Sequence, residues 1–222
     1  MKKRILVISP HPDDESLGLG GTISKSIAEG HEVFILTVSG HLPPLYSRED
    51  YDTTVKEAYK AFEVLGVKKS SFLEIPATMV GDEPIHSLNK KISSVVQDYK
   101  PNVVYCPFPD RHIDHKLIFE SSMVATRPVN IGKEIELVAA YETLSETHWN
   151  APFIEPNFTP NMVINIEKFI DNKVNALRCY KSQINEDSGP RSIKAVRALA
   201  EFRGTQAGFS YGEALYVIRI SA

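Results

Sequence analysis

The chain has 222 residues, 42% of them hydrophobic and 24% charged, with a formal net charge of −3. That is long enough for a substantial core. The acidic balance argues against a nucleic-acid binder working through a broad basic surface. No apolar run reaches membrane-spanning length, and the two cysteines, Cys106 and Cys179, supply neither a disulfide framework nor a thiolate metal site.

The opening "MKKRILVIS" resembles the start of a signal peptide, but its apolar part is short and runs into "PHPDDE". It reads as a first strand, with a cytoplasmic location expected. "LGLGGTISKSIAEG" reads as a helix closing on Gly30, and "HEVFILTVS" as a second strand. "REDYDTTVKEAYKAFEVLG" carries Tyr51, Val55, Ala58, Phe62 and Leu65 at helical spacing and stops at Gly66. "SFLEIP" is a third strand, "IHSLNKKISSVVQDY" a helix ending before Pro101, and "NVVYCPF" a fourth strand followed by helical "DHKLIFESSMVATR". Strands alternating with helices imply crossover units, hence a single α/β domain over residues 1–222 with a Rossmann-like, mostly parallel sheet flanked by helices. Further on, "EIELVAAYET", "NMVINI" and "ALYVIRI" read as strands and "EKFIDNKVNALRCYKSQ" as an amphipathic helix.

Two polar clusters stand out. Strand one ends in "HPDDE", with His11, Asp13, Asp14 and Glu15; strand four ends in "PDRHIDH", with Asp110, Arg111, His112, Asp114 and His115. Like charges so close must stay solvated or find a cation. In a doubly wound sheet of order 3-2-1-4-5, strands one and four are neighbours, and ligands bind beyond their carboxyl ends. The two clusters would therefore face one crevice. His11 and Asp14, three apart, with either His112 or His115, make a two-histidine, one-carboxylate set that leaves a position for water, as in catalytic zinc sites. Such an ion activates water near neutral pH. Asp13 is then the expected general base, and the remaining histidine, steadied by Asp114, stabilises an oxyanion or protonates the leaving group.

These two motifs, in this order and context, resemble the signatures of the LmbE-like, or PIG-L-type, zinc-dependent N-deacetylases. "GGTISKSIAEGHEV", "EAYKAFEVLGV", "YKSQ" and "YGEAL" are similar to the family more weakly, so that the resemblance spans most of the chain. It implies His11, Asp14 and His115 as ligands of one zinc ion per chain, Asp13 as base, and His112 as the oxyanion or acid histidine with Asp114 behind it. It also implies hydrolysis of the acetamide of an N-acetylated amino sugar or glycoconjugate, and room for a homo-oligomer; that there is no nucleic-acid partner and no transmembrane segment is expected from charge and hydropathy. One departure is visible: relatives carry a substrate-contacting arginine three residues before the glutamate equivalent to Glu57, where this chain has Thr54. Arg48 is weighed as its replacement.

Other features read as structural. "GLGGTI" fails the GxGxxG spacing at Ile23, so Gly18, Gly20 and Gly21 are expected to let the helix approach the sheet. Glu15 is expected to bind amides at the helix start, Arg111 to pair with a carboxylate, and His41 to sit in a loop near the crevice. Trp149 is expected to anchor a loop. Two rivals remain at this level: a two-metal phosphoesterase, and a non-catalytic sugar- or metal-binding module.

Overall fold

Residues 2–184 and 189–221 are described by the computed structural model. The strand β1 (Arg4–Ser9) lies in the middle of a seven-stranded sheet, and Leu6, Val7 and Ile8 are wholly buried there. Alternate side chains of a strand point to opposite faces, so β1 seeds two cores. Ile5 and Val7 pack with Leu19, Ile35, Phe62 and Tyr180 on one face; Leu6 and Ile8 pack with Leu36, Ile92, Val96 and Ile118 on the other. Helices on both faces explain why the strand is a continuous apolar run rather than an alternating one.

The remaining strands are β2 (Glu32–Gly40), β3 (Lys69–Pro76), β4 (Val103–Pro107), β5 (Leu137–Tyr141), β6 (Met162–Asn165) and β7 (Gly212–Ile220). The helices are α1 (Asp14–Ala28), α2 (Arg48–Leu65), α3 (Ile85–Tyr99), α4 (Ile113–Ala125), α5 (Ile170–Leu177) and α6 (Ile193–Thr205). The sheet order is β3-β2-β1-β4-β5-β7-β6. Strands β1 to β5 run parallel, and β7 lies antiparallel between β5 and β6. The expected α/β fold with a mostly parallel sheet is therefore present. So is the switch point between β1 and β4, where Ile5, Leu6 and Val7 pair with Val103, Val104 and Tyr105. Among the described residues no helix is long and apolar enough to cross a membrane.

The first half of the chain matches its expected elements because local signals and tertiary packing agree. Helix α2 starts in a capping box between Ser47 and Asp50 and ends at Gly66, whose φ of +83° is left-handed. Its inner face differs from the apolar pattern: Thr54 and Glu57 are buried, while Val55 is only partly so. The Ser182 amide and hydroxyl bind the Glu57 carboxylate, the hydroxyl at 2.6 Å, which offsets the cost of that burial.

Two corrections fall in the second half. The helix expected over residues 167–183 is only α5; the chain leaves it so that Tyr180 and Ser182 reach Glu15 and Glu57. Helix α6 was not expected at all. Its buried stripe is Val196, Ala200 and Gly204, too small to stand out as an apolar face, and Ser192 caps it by accepting the Ala195 amide at 3.1 Å. Val196 joins Leu17 and Leu177 in a cluster that seats α6 beside the start of α1.

Candidate metal centre and active site

The turn after β1 places four polar side chains in four different environments. Asp13 adopts φ 112°, ψ −29° at the N-cap of α1. A non-glycine residue held there carries backbone strain, of order 1–3 kcal/mol, of a kind that clusters at functional sites. Its carbonyl accepts from the Ser16 and Leu17 amides at 3.0 and 2.8 Å, tying the strained residue to the first turn. Glu15 points the other way. Buried, it accepts from the Asp13 amide (3.2 Å), Ser9 (3.2 Å), Ser16 (2.6 Å) and Tyr180 (2.7 Å). The expectation that Glu15 binds amides at the helix start holds for one amide; the rest of its role is a side-chain lock beneath the site.

Asp14 is fully buried between two imidazoles. Its Oδ2 lies 3.1 Å from His11 Nδ1 and 3.3 Å from His115 Nε2. One ligand atom from each of His11, Asp14 and His115 lies within 4.8 Å of the others. Asp14 Oδ1 and His115 Nε2 are buried without a hydrogen-bond partner. Donor atoms around a tetrahedral zinc at about 2.0–2.1 Å stand roughly 3.3 Å from one another, so the donor set, its spacing and its orphaned atoms fit such an ion. Electrostatics agree. Burial works against charge on all three groups. Asp114 and Asp14 nevertheless raise His11 to about 9, and Asp14 and Asp110 raise His115 to about 10, while the histidines hold the Asp14 carboxyl well below the usual range. The pocket demands positive charge, which protons or a divalent cation can supply.

Around this set, buried carboxylates orient the rings. Asp110 Oδ2 lies 3.0 Å from His115 Nδ1, accepts from Thr147 at 2.8 Å, and its Oδ1 takes the His112 amide at 3.0 Å. The ring is thereby fixed with Nε2 turned toward Asp14. Asp114 Oδ2 accepts from the Thr78 amide at 2.7 Å and faces His11 Nε2 at 2.9 Å. The carboxylate of Asp114 was expected to steady His112, but it lies 4.0 Å from that ring. Instead the Asp114 amide donates to His112 Nδ1 at 3.2 Å as part of the N-cap of α4. With Nδ1 accepting, the neutral ring carries its proton on Nε2. Burial and the neighbouring histidines push His112 down to about 4, so it is neutral.

The fold thus brings His11, Asp13, Asp14, His112, Asp114 and His115 together beyond the carboxyl ends of β1 and β4. It also adds residues the motifs alone do not single out. Asp110 stood in the second cluster without a role. Arg191, from the connection between α5 and α6, donates from Nη1 to Asp13 Oδ2 at 3.1 Å, and its Nη2 lies 4.0 Å from Glu146. Burial raises the Asp13 carboxyl, and the Arg191 guanidinium opposes the rise. Nothing local in "SGPRSI" marks Arg191; only the packing of α6 brings it in.

Arg48, weighed as a stand-in for the family's arginine, is held by carboxylates of its own helix and of β3. It is exposed and paired with Asp52 and Glu74 at 3.0 and 3.1 Å, while Thr54 bonds back to the Asp50 carbonyl at 2.8 Å. Arg111 pairs with Glu146 at 3.2 Å as expected, its guanidinium 5.9 Å from the ring centre of half-exposed Trp149. His41 lies near the rim, its ring 4.3 Å from that of Tyr46. The glycine-rich turn serves packing: a Cβ on Gly18 would stand 2.3 Å from the Tyr141 ring.

The family model described as PIG-L, GlcNAc-PI de-N-acetylase, matches residues 6–126, more than half of the chain and both polar clusters. A diacetylchitobiose deacetylase from Thermococcus kodakarensis is 29% identical over 236 residues, covering 96% of this chain and 82% of that protein. The N,N'-diacetylchitobiose deacetylase from Pyrococcus horikoshii, solved with its inhibitor MPG, superposes with a TM-score of 0.78 at 24% identity, covering 97% of this chain and 84% of that one. The 4-carboxy-2-hydroxymuconate hydratase GalB from Pseudomonas putida KT2440 superposes at 0.76 with 19% identity, covering 100% and 98%. At these identities the superpositions establish the fold alone, and one fold carries two different reactions.

Proposed function

Since the chain belongs to the PIG-L family of GlcNAc-PI de-N-acetylases, we propose that it is a zinc-dependent N-deacetylase. Its substrate in this reading is an N-acetylglucosamine-type sugar or glycoconjugate, the class of compound on which the Thermococcus relative is named as acting. The observation that carries the reading is the convergence of His11, Asp14 and His115 within 4.8 Å, with buried Asp13 adjacent in the chain.

His11, Asp14 and His115 would hold one zinc ion. Bound there, zinc would lower the pKa of water and polarise the acetamide carbonyl. Asp13 takes the proton of the attacking water and returns it to the amine nitrogen as the amide C–N bond breaks, so that acetate and a free amino sugar leave. His112, neutral and protonated on Nε2, donates a hydrogen bond to the oxygen that gains charge during attack. Asp110 fixes the ring of His115, and Asp114 fixes that of His11. A cytoplasmic location and a single domain over residues 1–222 belong to the same proposal. The location rests on the sequence, and the domain is supported by the one undivided sheet.

A two-metal phosphoesterase would need a second set, and His11, His112 and Asp114 also lie within 4.8 Å of one another. Because His11 belongs to both sets, complete occupation of each at once would force its imidazole to bridge. This favours one ion. The deciding experiment measures acetate release from a panel of acetylated glucosamine compounds and quantifies metal in the same sample. Release with one zinc per chain is expected. Two ions at full activity would favour the rival, and bound zinc with no release would favour a binding module.

A further inference from the structure

A general base must be held in place as well as present, because small misplacements of a reacting group cost large factors in rate. Asp13 sits at φ 112°, where backbone strain works against a settled position, and its side chain is almost entirely buried. Something must oppose both the strain and the burial of the carboxylate. Among the described residues, the cation bonded to that carboxylate is Arg191, whose Nη1 donates to Oδ2 at 3.1 Å. The guanidinium is itself mostly buried, with 22% of the side chain exposed, so the pair is screened far less than a surface ion pair.

Three features place Arg191 there. It precedes Ser192, the buried N-cap of α6. Helix α6 is seated against the first turn of α1 through Val196, Leu17 and Leu177. On its far side, Glu146 lies 4.0 Å from Nη2 and is held in turn by Arg111 at 3.2 Å. Asp13, Arg191, Glu146 and Arg111 thus form an alternating row of charge from the buried carboxylate to the rim. Each buried member has an opposite neighbour, as burial requires.

We infer that Arg191 is the positioning residue for Asp13, orienting its carboxylate for proton transfer from water through a bond to Oδ2 that leaves Oδ1 to receive the proton. Glu146, 4.0 Å from Nη2, adds a longer-range attraction from the other side. Arg191 is assigned no contact with substrate. Its loss should therefore act on turnover and leave substrate binding and metal binding in place.

The inference rests on the deacetylase reading, and the experiment separates the two. Wild type, Arg191→Ala, Arg191→Lys and Glu146→Gln are compared for acetate release, zinc content and thermal unfolding. For Arg191→Ala, kcat is expected to fall about 10- to 100-fold, with KM within about twofold and zinc retained. Arg191→Lys, which keeps one charged donor, should recover part of the loss. Millimolar guanidinium should raise kcat of the alanine variant and leave wild type unchanged. Glu146→Gln should lower kcat by a smaller factor. A rise in KM at unchanged kcat would make Arg191 a substrate contact and overturn the inference, as would loss of zinc or wild-type turnover in Arg191→Ala. Wild type that releases no acetate from any substrate would instead defeat the deacetylase reading.

Discussion

The phenolic hydroxyl of Tyr180 donates to Glu15 Oε1 at 2.7 Å, joining the segment that follows α5 to the turn that carries the metal-site residues. Both side chains are buried, and burial raises the Glu15 carboxyl above its ordinary range. Removing the hydroxyl would leave a buried oxygen short of a partner. Tyr180→Phe is expected to destabilise the protein by about 1–3 kcal/mol. The check is the urea midpoint of wild type and variant at equal slope; coincident midpoints would show that the bond contributes nothing net.

Asp13 and His115 are predicted to separate base from ligand. Asp13→Asn should retain zinc and lose roughly 10²–10⁴-fold in kcat. His115→Ala should lose zinc and activity together, because one of three protein ligands is gone. Metal analysis of both purified variants beside their rates provides the test. Loss of zinc from Asp13→Asn would contradict the division of roles.

Asp110 holds His115 from behind at 3.0 Å and accepts from Thr147 on the same oxygen. Carboxylates placed behind a ligating histidine commonly contribute 10–100-fold in metal affinity. Asp110→Asn is expected to weaken zinc binding by about that factor while leaving the fold intact, measured by competition with a chelator of known affinity. Unchanged affinity would mean that the ring is oriented by packing alone.

Glu142 supplies a pH dependence of stability. Burial alone would raise its carboxyl, but the bonds from His148 and Arg203 outweigh burial and hold it below the usual range. Arg203 reaches it at 2.8 and 2.7 Å. A folded pKa below the unfolded value of about 4.3 means that the stabilisation is present above that pH and is lost as pH falls through the folded value. Wild type should therefore exceed Glu142→Gln in unfolding free energy by a margin that shrinks as pH falls below about 5. A margin independent of pH, followed by denaturant unfolding, would remove Glu142 as the titrating group.

Much of the architecture was legible from local order. Strand β1, helix α2 and the end of α3 follow from an apolar run, from helical spacing that stops at Gly66, and from Pro101, because propensity and packing agree there. The truncated α5 and the unexpected α6 were not legible. In the first case tertiary bonds from Tyr180 and Ser182 override helical periodicity; in the second the buried stripe is built from residues too small to mark it.

The same division runs through the site. The sequence by itself determined the two clusters, the spacing of His11 and Asp14, and, through the alternation of strands and helices, their meeting beyond β1 and β4. Those are properties of short segments and of a chain topology that few arrangements satisfy. Only the tertiary structure decided that the carboxylate of Asp114 faces His11 rather than His112, that Asp110 orients His115, and that Arg191 reaches Asp13. These are contacts between groups up to 178 residues apart. Their geometry is set by how α4 and α6 pack, and no local periodicity encodes it.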